Sequence, residues 1–253
     1  MPVLNESRFQ IDTRSAVRVL PFSAPAFITC AVAGDMGPPE LGETDARHTA
    51  LTAAGLSGYR LLTVKQEHTL TVLDAEAVAA KLSAGPETAL RPVADGIAGD
   101  AAGAPGHVLG VTVADCMPIY LHDREHGAVA MLHSGWKGTG ILLSALRRME
   151  ERWGTRANAT EVLLGPAIQA CCYEVDAERA EGFQRTFGER AAVRRGGRWY
   201  LDLQYANRKL AEEAGVRDLA VCTNCTCCGD GLFSYRRDGP SGYRRMLAGI
   251  AVE

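Results

Sequence analysis

The chain has 253 residues, 47% hydrophobic and 23% charged, which are the proportions of an ordinary folded protein that buries a core. Its formal net charge is −3, and no basic block indicates a nucleic-acid or membrane surface. No apolar run approaches the roughly 18 residues of a membrane span, and the charged N-terminus lacks the apolar stretch of a signal peptide.

In chain order, the first 106 residues predict short elements separated by Gly and Pro. Composition marks loops at 34–43 and 85–106, and the second could be a linker or a loop within one domain. Apolar and β-branched residues predict extended segments, and Asp and Gly at the two ends of alanine-rich segments predict helices. The predicted strands are 17–22, 24–33 and 59–73, and the predicted helices are 45–55 and 74–85.

The middle of the chain has the densest β-strand signal, with nearly continuous apolar runs typical of buried strands. An amphipathic helix over 138–154 follows, and a Gly-Gly turn predicts a hairpin over 191–203. Strands and helices mix without strict alternation, which favours an α+β fold with mixed β-sheets over a doubly wound fold. A single domain over 1–253 is what the family resemblance described below implies. The remaining predicted strands are 107–116, 117–123, 127–135, 161–165, 217–222 and 243–252, and the remaining helices are 176–188 and 202–214.

Cys116 ends the apolar run "VTVADC", beside Asp115 and before Pro118. A cysteine at the end of a buried strand is placed where the backbone can turn and expose the thiol. Most free cysteines are simply small buried hydrophobic residues. These residues alone leave both readings open.

His133 ends another apolar strand and begins "HSGWKGTG", which enters a helix. Glycines such as Gly135 allow close approach of the backbone to a ligand, and the helix N-terminus with Lys137 suits an anion such as phosphate. His68 lies in the β-like run "VKQEHTLTV" and means little by itself. Together, His68, Cys116 and His133 form a plausible three-ligand set for catalytic zinc, and copper accepts the same ligand types.

Four of the eight cysteines fall within "VCTNCTCCGDG", residues 221–231. The spacing C-x-x-C-x-C-C could form a zinc or redox module on Cys222–Cys228, which would be a function without catalysis. A second C-x-x-C at zinc-ribbon distance is missing, and Cys171-Cys172 is the only other pair. Because this reading leaves the other motifs unexplained, Cys116 is the preferred working thiol.

Several segments occur in the order and rough spacing of a known family: "KQEHT", "TVADCMPI", "HSGWKGTG", "GPAIQACCYEV", "VCT" and "LFSYRRDG". Over about residues 59–252 the chain resembles the YfiH-like family, also described as the multicopper polyphenol oxidase, laccase-domain or peptidoglycan editing factor family. The resemblance implies an α/β sandwich shared with certain cysteine-hydrolase toxins. It also implies a metal, usually zinc, on the positions of His68, Cys116 and His133.

The resemblance further implies a cytoplasmic purine nucleoside enzyme, whose partners are small molecules, nucleoside and phosphate. Its implied reactions are phosphorolysis of adenosine, inosine, guanosine and methylthioadenosine, and deamination of adenosine. Alternatives are hydrolysis of mis-made peptidoglycan precursors and copper-dependent polyphenol oxidation. The chain departs from the family pattern at two places. Members often have Gln-Val-His-Gly where this chain has Gln66-Glu67-His68-Thr69, and Cys30 lies about where the family has an Arg.

For catalysis we expect His68, Cys116 and His133 to act through a metal, or Cys116 to act as a nucleophile with His133 as its base. Guanidinium and ammonium groups bind phosphate. The proton-transferring carboxylate is expected among Glu67, Asp95 and Asp115. The residues expected to bind substrate are Lys65, Gln66, Asp95, Gly135, Lys137, Arg236 and Arg237.

Overall fold

The structure, a computed structural model, describes residues 4–37, 45–83 and 91–253. Its first eight strands are Asn5–Phe9 (β1), Val17–Val19 (β2), Ala26–Thr29 (β3), Arg60–Thr63 (β4), Val72–Asp74 (β5), Gly96–Gly99 (β6), His107–Val113 (β7) and Met117–Asp123 (β8). The others are Val129–Ser134 (β9), Thr160–Leu164 (β10), Glu174–Val175 (β11), Ala192–Arg195 (β12), Arg198–Leu201 (β13), Asp218–Cys222 (β14) and Met246–Ala251 (β15). The α-helices are Asp45–Ala53 (α1), Ala75–Ser83 (α2), Ile141–Trp153 (α3), Ala177–Phe187 (α4), Leu203–Glu213 (α5) and Tyr235–Asp238 (α6).

Two mixed β-sheets face each other across the central core. One has seven strands in the order β1-β14-β10-β8-β9-β6-β5, and the other has five in the order β2-β3-β15-β7-β4. Tyr120 and Met131 of the first sheet share one buried cluster with Val111 and Ile250 of the second. The predicted α+β fold with mixed sheets is therefore confirmed, since both parallel and antiparallel pairs occur within each large sheet.

Alternation along the strands supplies each sheet with a second buried face. Ile119 and Leu121 of β8 point away from the central core and pack with α3, α4 and α5. Phe27 and Leu247 pack in the same way on the outer side of the five-stranded sheet, against Leu51 of α1. Helices thus cover both outer faces of the sandwich, because each buried strand needs apolar neighbours on two sides.

A third, three-stranded sheet, β11-β13-β12, contains the predicted hairpin. Gly196 and Gly197 have φ of 55° and 80°, which are the left-handed values that a two-residue hairpin turn requires. Asp176 and Asp202 accept hydrogen bonds from backbone N–H groups and cap α4 and α5 at 2.8 Å each. Most predicted elements occur within a few residues of the predicted ends.

The prediction of a loop or linker over 85–106 is wrong for residues 96–99. These residues form β6, a buried strand between β5 and β9. In its sequence, Gly-Ile-Ala-Gly, only Ile97 is a residue that usually indicates a strand, because neighbours leave no room for side chains at the two glycines. A Cβ on Gly99 would lie 2.5 Å from the Ala75 Cβ. Residues 84–90, like residues 38–43 of the predicted loop 34–43, lie outside the described residues.

The topology brings three distant segments to one end of the sandwich. The chain leaves the five-stranded sheet at the end of β7 and enters the seven-stranded sheet at β8, with Cys116 in the turn between them. His133 pairs directly with Pro118. Strand β4 runs parallel to β7, so the loop containing His68 emerges at the same end. Within the described part of the chain, no helix has the length and hydrophobicity that crossing a membrane requires.

Candidate metal and catalytic site

The structure brings the three predicted ligands together. One nitrogen of His68, the Cys116 Sγ and one nitrogen of His133 all lie within 4.8 Å of one another. The Cys116 Sγ is 3.8 Å from His68 Nε2, and the two imidazole centroids are 5.0 Å apart. His133 is buried, Cys116 is half-buried and His68 is exposed, so the group is open on the His68 side.

This geometry fits a zinc ion. Bonds of about 2.0–2.3 Å in a tetrahedral arrangement place neighbouring ligand atoms roughly 3.4–3.8 Å apart. Imidazole nitrogen and thiolate sulfur are both zinc ligands, and catalytic zinc has three protein ligands with its fourth position free. Gly135 makes room for this set, because a Cβ there would lie 2.7 Å from the Cys116 Sγ and 3.2 Å from the His68 Cδ2.

Asp95 positions both histidines through hydrogen bonds to its carboxylate. Its Oδ1 accepts from the His133 Nδ1 at 2.8 Å, which leaves the His133 Nε2 for the site. The same carboxylate accepts from the backbone N–H groups of Glu67, His68 and Thr69, at 3.2, 3.0 and 2.6 Å. These contacts hold His68 at a φ of 61°, which a non-glycine residue rarely adopts.

The side-chain charges of the metal-free site are coupled. Burial raises the pKa of the Cys116 thiol, but the positive charge on His133 and hydrogen bonds to both histidines outweigh it and lower that pKa to about 6. Burial lowers the pKa of His133, but the Cys116 thiolate and Asp95 outweigh it and raise that pKa to about 9. At neutral pH the pair is therefore a thiolate and an imidazolium.

Asp115 connects the Cys116 turn to the C-terminal part of the site. With a φ of 82°, it accepts a hydrogen bond from the Thr226 Oγ1 at 2.7 Å and from the Arg236 backbone N–H at 2.6 Å. Its carbonyl accepts from the Ile168 N–H at 3.0 Å. Both carboxylate oxygens are thus used in holding protein segments together.

A cavity of about 660 Å³ lies over the three ligands. Its wall contains cationic side chains and aromatic rings in similar numbers. Besides His68, Cys116 and His133, the polar and aromatic lining residues are Lys65, Gln66, Arg91, Thr112, Asp115, Trp136, Tyr173, Arg179, Tyr235, Arg236, Tyr243 and Arg245.

Three of the seven predicted substrate-binding residues, Lys65, Gln66 and Arg236, line this cavity. Gln66 is also a structural clamp, because its amide donates to the Thr112 carbonyl at 2.8 Å and accepts from the Thr112 N–H at 2.9 Å. The Lys65 ammonium pairs with the Glu67 carboxylate at 2.5 Å.

The other four predicted substrate-binding residues lie off the cavity wall. Asp95 is fully buried behind His133, and Gly135 packs against Cys116. The Lys137 ammonium lies 5.4 Å from the centre of the Trp136 ring. Arg237 donates to backbone carbonyls within residues 226–232, including that of Leu232 at 2.7 Å. The contacts that the structure shows for these four residues are with the protein, and their role in substrate binding stays a prediction.

Most residues of the cavity wall were not predicted from the sequence. Arg91, Arg179 and Arg245 come from three separate regions of the chain, and no local spacing connects them. The Arg91 Nε is buried without a hydrogen-bond partner among the described residues. One signal was available: the repeated Tyr-Arg-Arg of 235–237 and 243–245 places two tyrosines on the wall, with ring centroids 4.8 Å apart.

The chain is similar in sequence to known proteins. The profile of the family described as "Multi-copper polyphenol oxidoreductase laccase" matches residues 22–253. A purine nucleoside phosphorylase of Bacteroides thetaiotaomicron is 36% identical over 158 residues, which are 58% of this chain and 58% of that protein. Adenosine deaminase RL5, from an unidentified prokaryote, is 36% identical over 142 residues, 53% of this chain and 54% of that protein. The chain thus spans less than three fifths of the length of these two curated relatives.

The fold is also similar to solved structures. The crystal structure of Bacillus licheniformis hypothetical protein YfiH superposes with a TM-score of 0.77 at 25% identity. The superposition covers 90% of this chain and 92% of that one. The predicted resemblance to YfiH-like proteins is therefore confirmed in sequence and in fold.

Proposed function

Because the chain belongs to the multi-copper polyphenol oxidoreductase laccase family, and relatives carry the names purine nucleoside phosphorylase and adenosine deaminase, we propose that it is a metal-dependent enzyme acting on purine nucleosides. The observation that carries the proposal is the cavity itself. It places the His68, Cys116 and His133 group beside several cationic side chains and several aromatic rings. Cationic side chains suit phosphate, aromatic rings suit a purine base, and a metal group suits polarisation of the substrate or of water.

The cations of the wall account for phosphate. In phosphorolysis the C1′–N9 bond of the nucleoside breaks, a phosphate oxygen bonds to C1′, and the base leaves with a proton. Guanidinium groups bind phosphate through paired N–H donors. Arg91 is the best placed to do so, because its Nε has no protein acceptor among the described residues. Arg236 has fewer donors left for phosphate, because its Nη1 already donates to the Glu174 carbonyl at 2.8 Å.

The aromatic residues account for the base. Trp136, Tyr173, Tyr235 and Tyr243 border the same cavity, and stacking of a base on such a ring contributes about 1–3 kcal/mol. The Arg179 guanidinium lies 4.4 Å from the centre of the Trp136 ring and fixes its orientation. A planar purine between these rings would bring its sugar or its amino group toward Cys116.

His68, Cys116 and His133 would hold the metal, for which zinc fits the donor set. When bound, zinc supplies a Lewis acid able to polarise substrate or activate water, which deamination at the purine C6 requires. Asp95 keeps the His133 Nδ1 protonated and its Nε2 directed at the site. If Cys116 acts as the nucleophile instead, His133 is its base, and the same orientation is needed.

Proton transfer falls to Glu67 in this proposal, although its carboxylate is not part of the cavity lining and would have to reach the substrate beside His68. Of the three carboxylates expected to serve, Asp95 and Asp115 are held by protein donors on both oxygens. Glu67 is exposed beside His68 and pairs with Lys65, whose side chain is 60% exposed. An exposed carboxylate exchanges protons with solvent freely.

The test is a product analysis. Purified protein is incubated with adenosine and phosphate, and adenine, inosine and hypoxanthine are separated. We expect adenine to form only when phosphate is present and inosine to form without it. His68→Ala should abolish both, whereas His126→Ala, which removes another solvent-exposed histidine outside the cavity lining, should leave both unchanged. Formation of neither product by zinc-loaded protein would sink the proposal.

The same three ligands would serve the other reactions considered above. Copper accepts two histidines and a thiolate, as polyphenol oxidation would require. Parallel incubations with a polyphenol and with muramyl-serine precursors therefore belong in the assay. Consumption of either one in preference to adenosine would replace the nucleoside proposal with that activity.

A further inference from the structure

A second cluster of metal-ligand side chains lies apart from the first. The segments that contain Cys171 and Cys225 are paired by a parallel bridge between Ala167 and Cys225. The Thr226 N–H donates to the Ala167 carbonyl at 3.1 Å and extends this pairing. Two cysteine pairs that are more than 50 residues apart in sequence therefore meet at one place.

The four thiols at this place have the separations of a metal site. The Sγ atoms of Cys171, Cys172, Cys225 and Cys228 all lie within 4.8 Å of one another. Cys171 and Cys228 are 3.6 Å apart. Zinc–sulfur bonds of about 2.3 Å in a tetrahedral arrangement predict roughly 3.8 Å between sulfurs. A disulfide would require about 2.05 Å.

The backbone of Cys225–Cys228 is shaped for metal binding. The Gly229 N–H donates to the Cys225 carbonyl at 3.0 Å, and a Cβ on Gly229 would lie 2.5 Å from that oxygen. Only glycine therefore fits at position 229, directly after Cys228. The Cys225 Sγ also accepts from the Gln169 backbone N–H at 3.5 Å, a contact that favours a thiolate.

Two guanidinium groups are anchored to the loops that carry the thiols. Four thiolates around one Zn²⁺ carry a net charge of about −2, which Arg195 can offset in part, whereas Arg237 already pairs with the Asp238 carboxylate at 2.8 Å. Arg237 donates to the carbonyls of Thr226 and Cys227 at 3.1 and 3.4 Å, and Arg195 donates to the carbonyl of Ala170. Both cations are thus fixed to the same loops as the thiols.

We propose that Cys171, Cys172, Cys225 and Cys228 bind a structural zinc ion, separate from the site at Cys116. Four protein thiolates leave no open position, which is the arrangement of structural zinc. The reading of Cys222–Cys228 as a self-contained module is corrected in two ways. Cys222 is fully buried in β14, and Cys227 packs with the apolar cluster beneath the helices. Cys225 and Cys228 find their partners in the distant Cys171-Cys172 pair.

This ion would brace the wall of the cavity. The segment after Cys172 contributes Tyr173, and the segment after Cys228 leads to Tyr235 and Arg236. The Arg236 Nη1 already joins the two, through the Glu174 carbonyl. A zinc ion would tie the same two segments more strongly, at the base of the wall.

The experiment measures metal in the full-length chain, produced with added zinc and then challenged with a chelator. His68→Ala removes a ligand of the first site, and Asp123, Glu125 and His126 form another possible metal group, so the metal that this variant retains and that a further Cys228→Ser change removes reports on the four thiols. We expect about one equivalent of zinc in this background. Adding Cys228→Ser should reduce it to near zero, and adding Cys227→Ser, a matched change in the same loop, should not. Cobalt-loaded His68→Ala protein should show the intense sulfur-to-metal charge-transfer bands of thiolate ligation.

Two outcomes would overturn the proposal. One is equal zinc retention by the Cys228→Ser and Cys227→Ser variants. The other is a Cys171–Cys228 disulfide, seen by mass spectrometry of protein alkylated without reductant. Should Cys228→Ser fail to fold, Cys171→Ser makes the same test at the other exposed thiol. These measurements read metal content and thiol state, so their outcome is independent of whether the protein acts on nucleosides.

Discussion

Asp95 is the residue on which the geometry of both histidine ligands depends. It accepts from the ring of His133 and from three successive backbone N–H groups around His68. Burial raises the pKa of its carboxyl, but the hydrogen bonds with His133 and Thr69 outweigh it and lower that pKa to about 2. The carboxylate is therefore ionised at neutral pH, and it acts as a positioning residue.

Asp95→Asn tests this positioning role. The amide keeps the shape, but its NH₂ group faces backbone donors and its neutral oxygen holds the imidazole less well. We expect zinc affinity at the first site to fall about 10- to 100-fold, as for other partners of metal-bound histidines, measured by competition with a chromophoric chelator. Asp123→Asn is the matched control, because Asp123 is equally buried and accepts from the His126 ring at 2.7 Å. Equal affinity in the two variants would contradict the role assigned to Asp95.

The Cys116 and His133 pair makes a prediction about pH. In metal-free protein the pKa of Cys116 is about 6 and that of His133 about 9. The lowered pKa of the Cys116 thiol contributes stability that is complete above its ordinary value of 9.0 and is lost as the pH falls through about 6. The raised pKa of the His133 imidazole contributes stability that is complete below its ordinary value of 6.5 and is lost as the pH rises through about 9. The ion pair therefore persists between about pH 6 and 9, and its contribution to stability is lost on either side of that window.

Alkylation of Cys116 by iodoacetamide in chelator-treated protein measures this window. Because the thiolate is the reactive form, the rate should rise through about pH 6 and then level off. In His133→Asn the imidazolium is gone and burial dominates, so the midpoint should move upward by several pH units. Peptide mass spectrometry identifies the modified thiol. A midpoint that His133→Asn leaves unchanged would show that His133 does not control the thiol.

At the scale of single elements, β6 shows how packing overrides composition. Gly96 and Gly99 are required because side chains of neighbouring elements occupy the space that their own Cβ atoms would need. A Cβ on Gly96 would lie 2.7 Å from Leu132 and 2.9 Å from Val72. Glycine usually weakens a strand, but here it allows β5, β9 and α2 to approach closely.

Gly99→Ala tests the packing of this strand. The added methyl meets the Ala75 Cβ, which is attached directly to the backbone and cannot rotate away. We expect a loss of about 1–3 kcal/mol in the free energy of unfolding. Gly182→Ala in α4 is the control, since its nearest neighbour would be 3.7 Å away and alanine favours a helix by about 0.5–1 kcal/mol. Denaturant midpoints that fall equally for both variants would refute the crowding argument.

At the scale of the whole molecule, Asp115 joins segments that are more than 100 residues apart in sequence. Its carboxylate holds Thr226 and the first turn of α6, and its carbonyl holds Ile168. The Cys116 turn, the cavity wall and the four-thiol cluster are therefore connected through one buried side chain. The prediction that residues 1–253 form one domain stays a prediction, although these long-range contacts are what such a domain would need.

Asp115→Ala should disturb this connection. Two donors lose their acceptor, at about 1–3 kcal/mol each, and alanine does not favour the φ of 82°. We expect destabilisation of about 2–5 kcal/mol, together with faster proteolysis within residues 223–242. Thr226→Ala, which removes one of the two hydrogen bonds, should cost about 1 kcal/mol. If Asp115→Ala costs no more than Thr226→Ala, the carboxylate does not hold the wall.

Sequence alone predicted much of the local structure and named three candidate ligands. Hydrophobic patterning, caps and turn glycines are short-range signals, so they place most strands and helices within a few residues, although the predicted strand 59–73 divides into β4 and β5 with the His68 loop between them. His68, Cys116 and His133 were named together because two imidazoles and a thiol make a three-ligand set and because their motifs resemble a known family, and their role as metal ligands stays a prediction. Only the tertiary structure decided that Asp95 lies behind His133, that three scattered arginines share one wall and that Cys171-Cys172 meets Cys225 and Cys228. These contacts join residues tens of positions apart, and their distances depend on which strands pair and in which register, which no local pattern encodes.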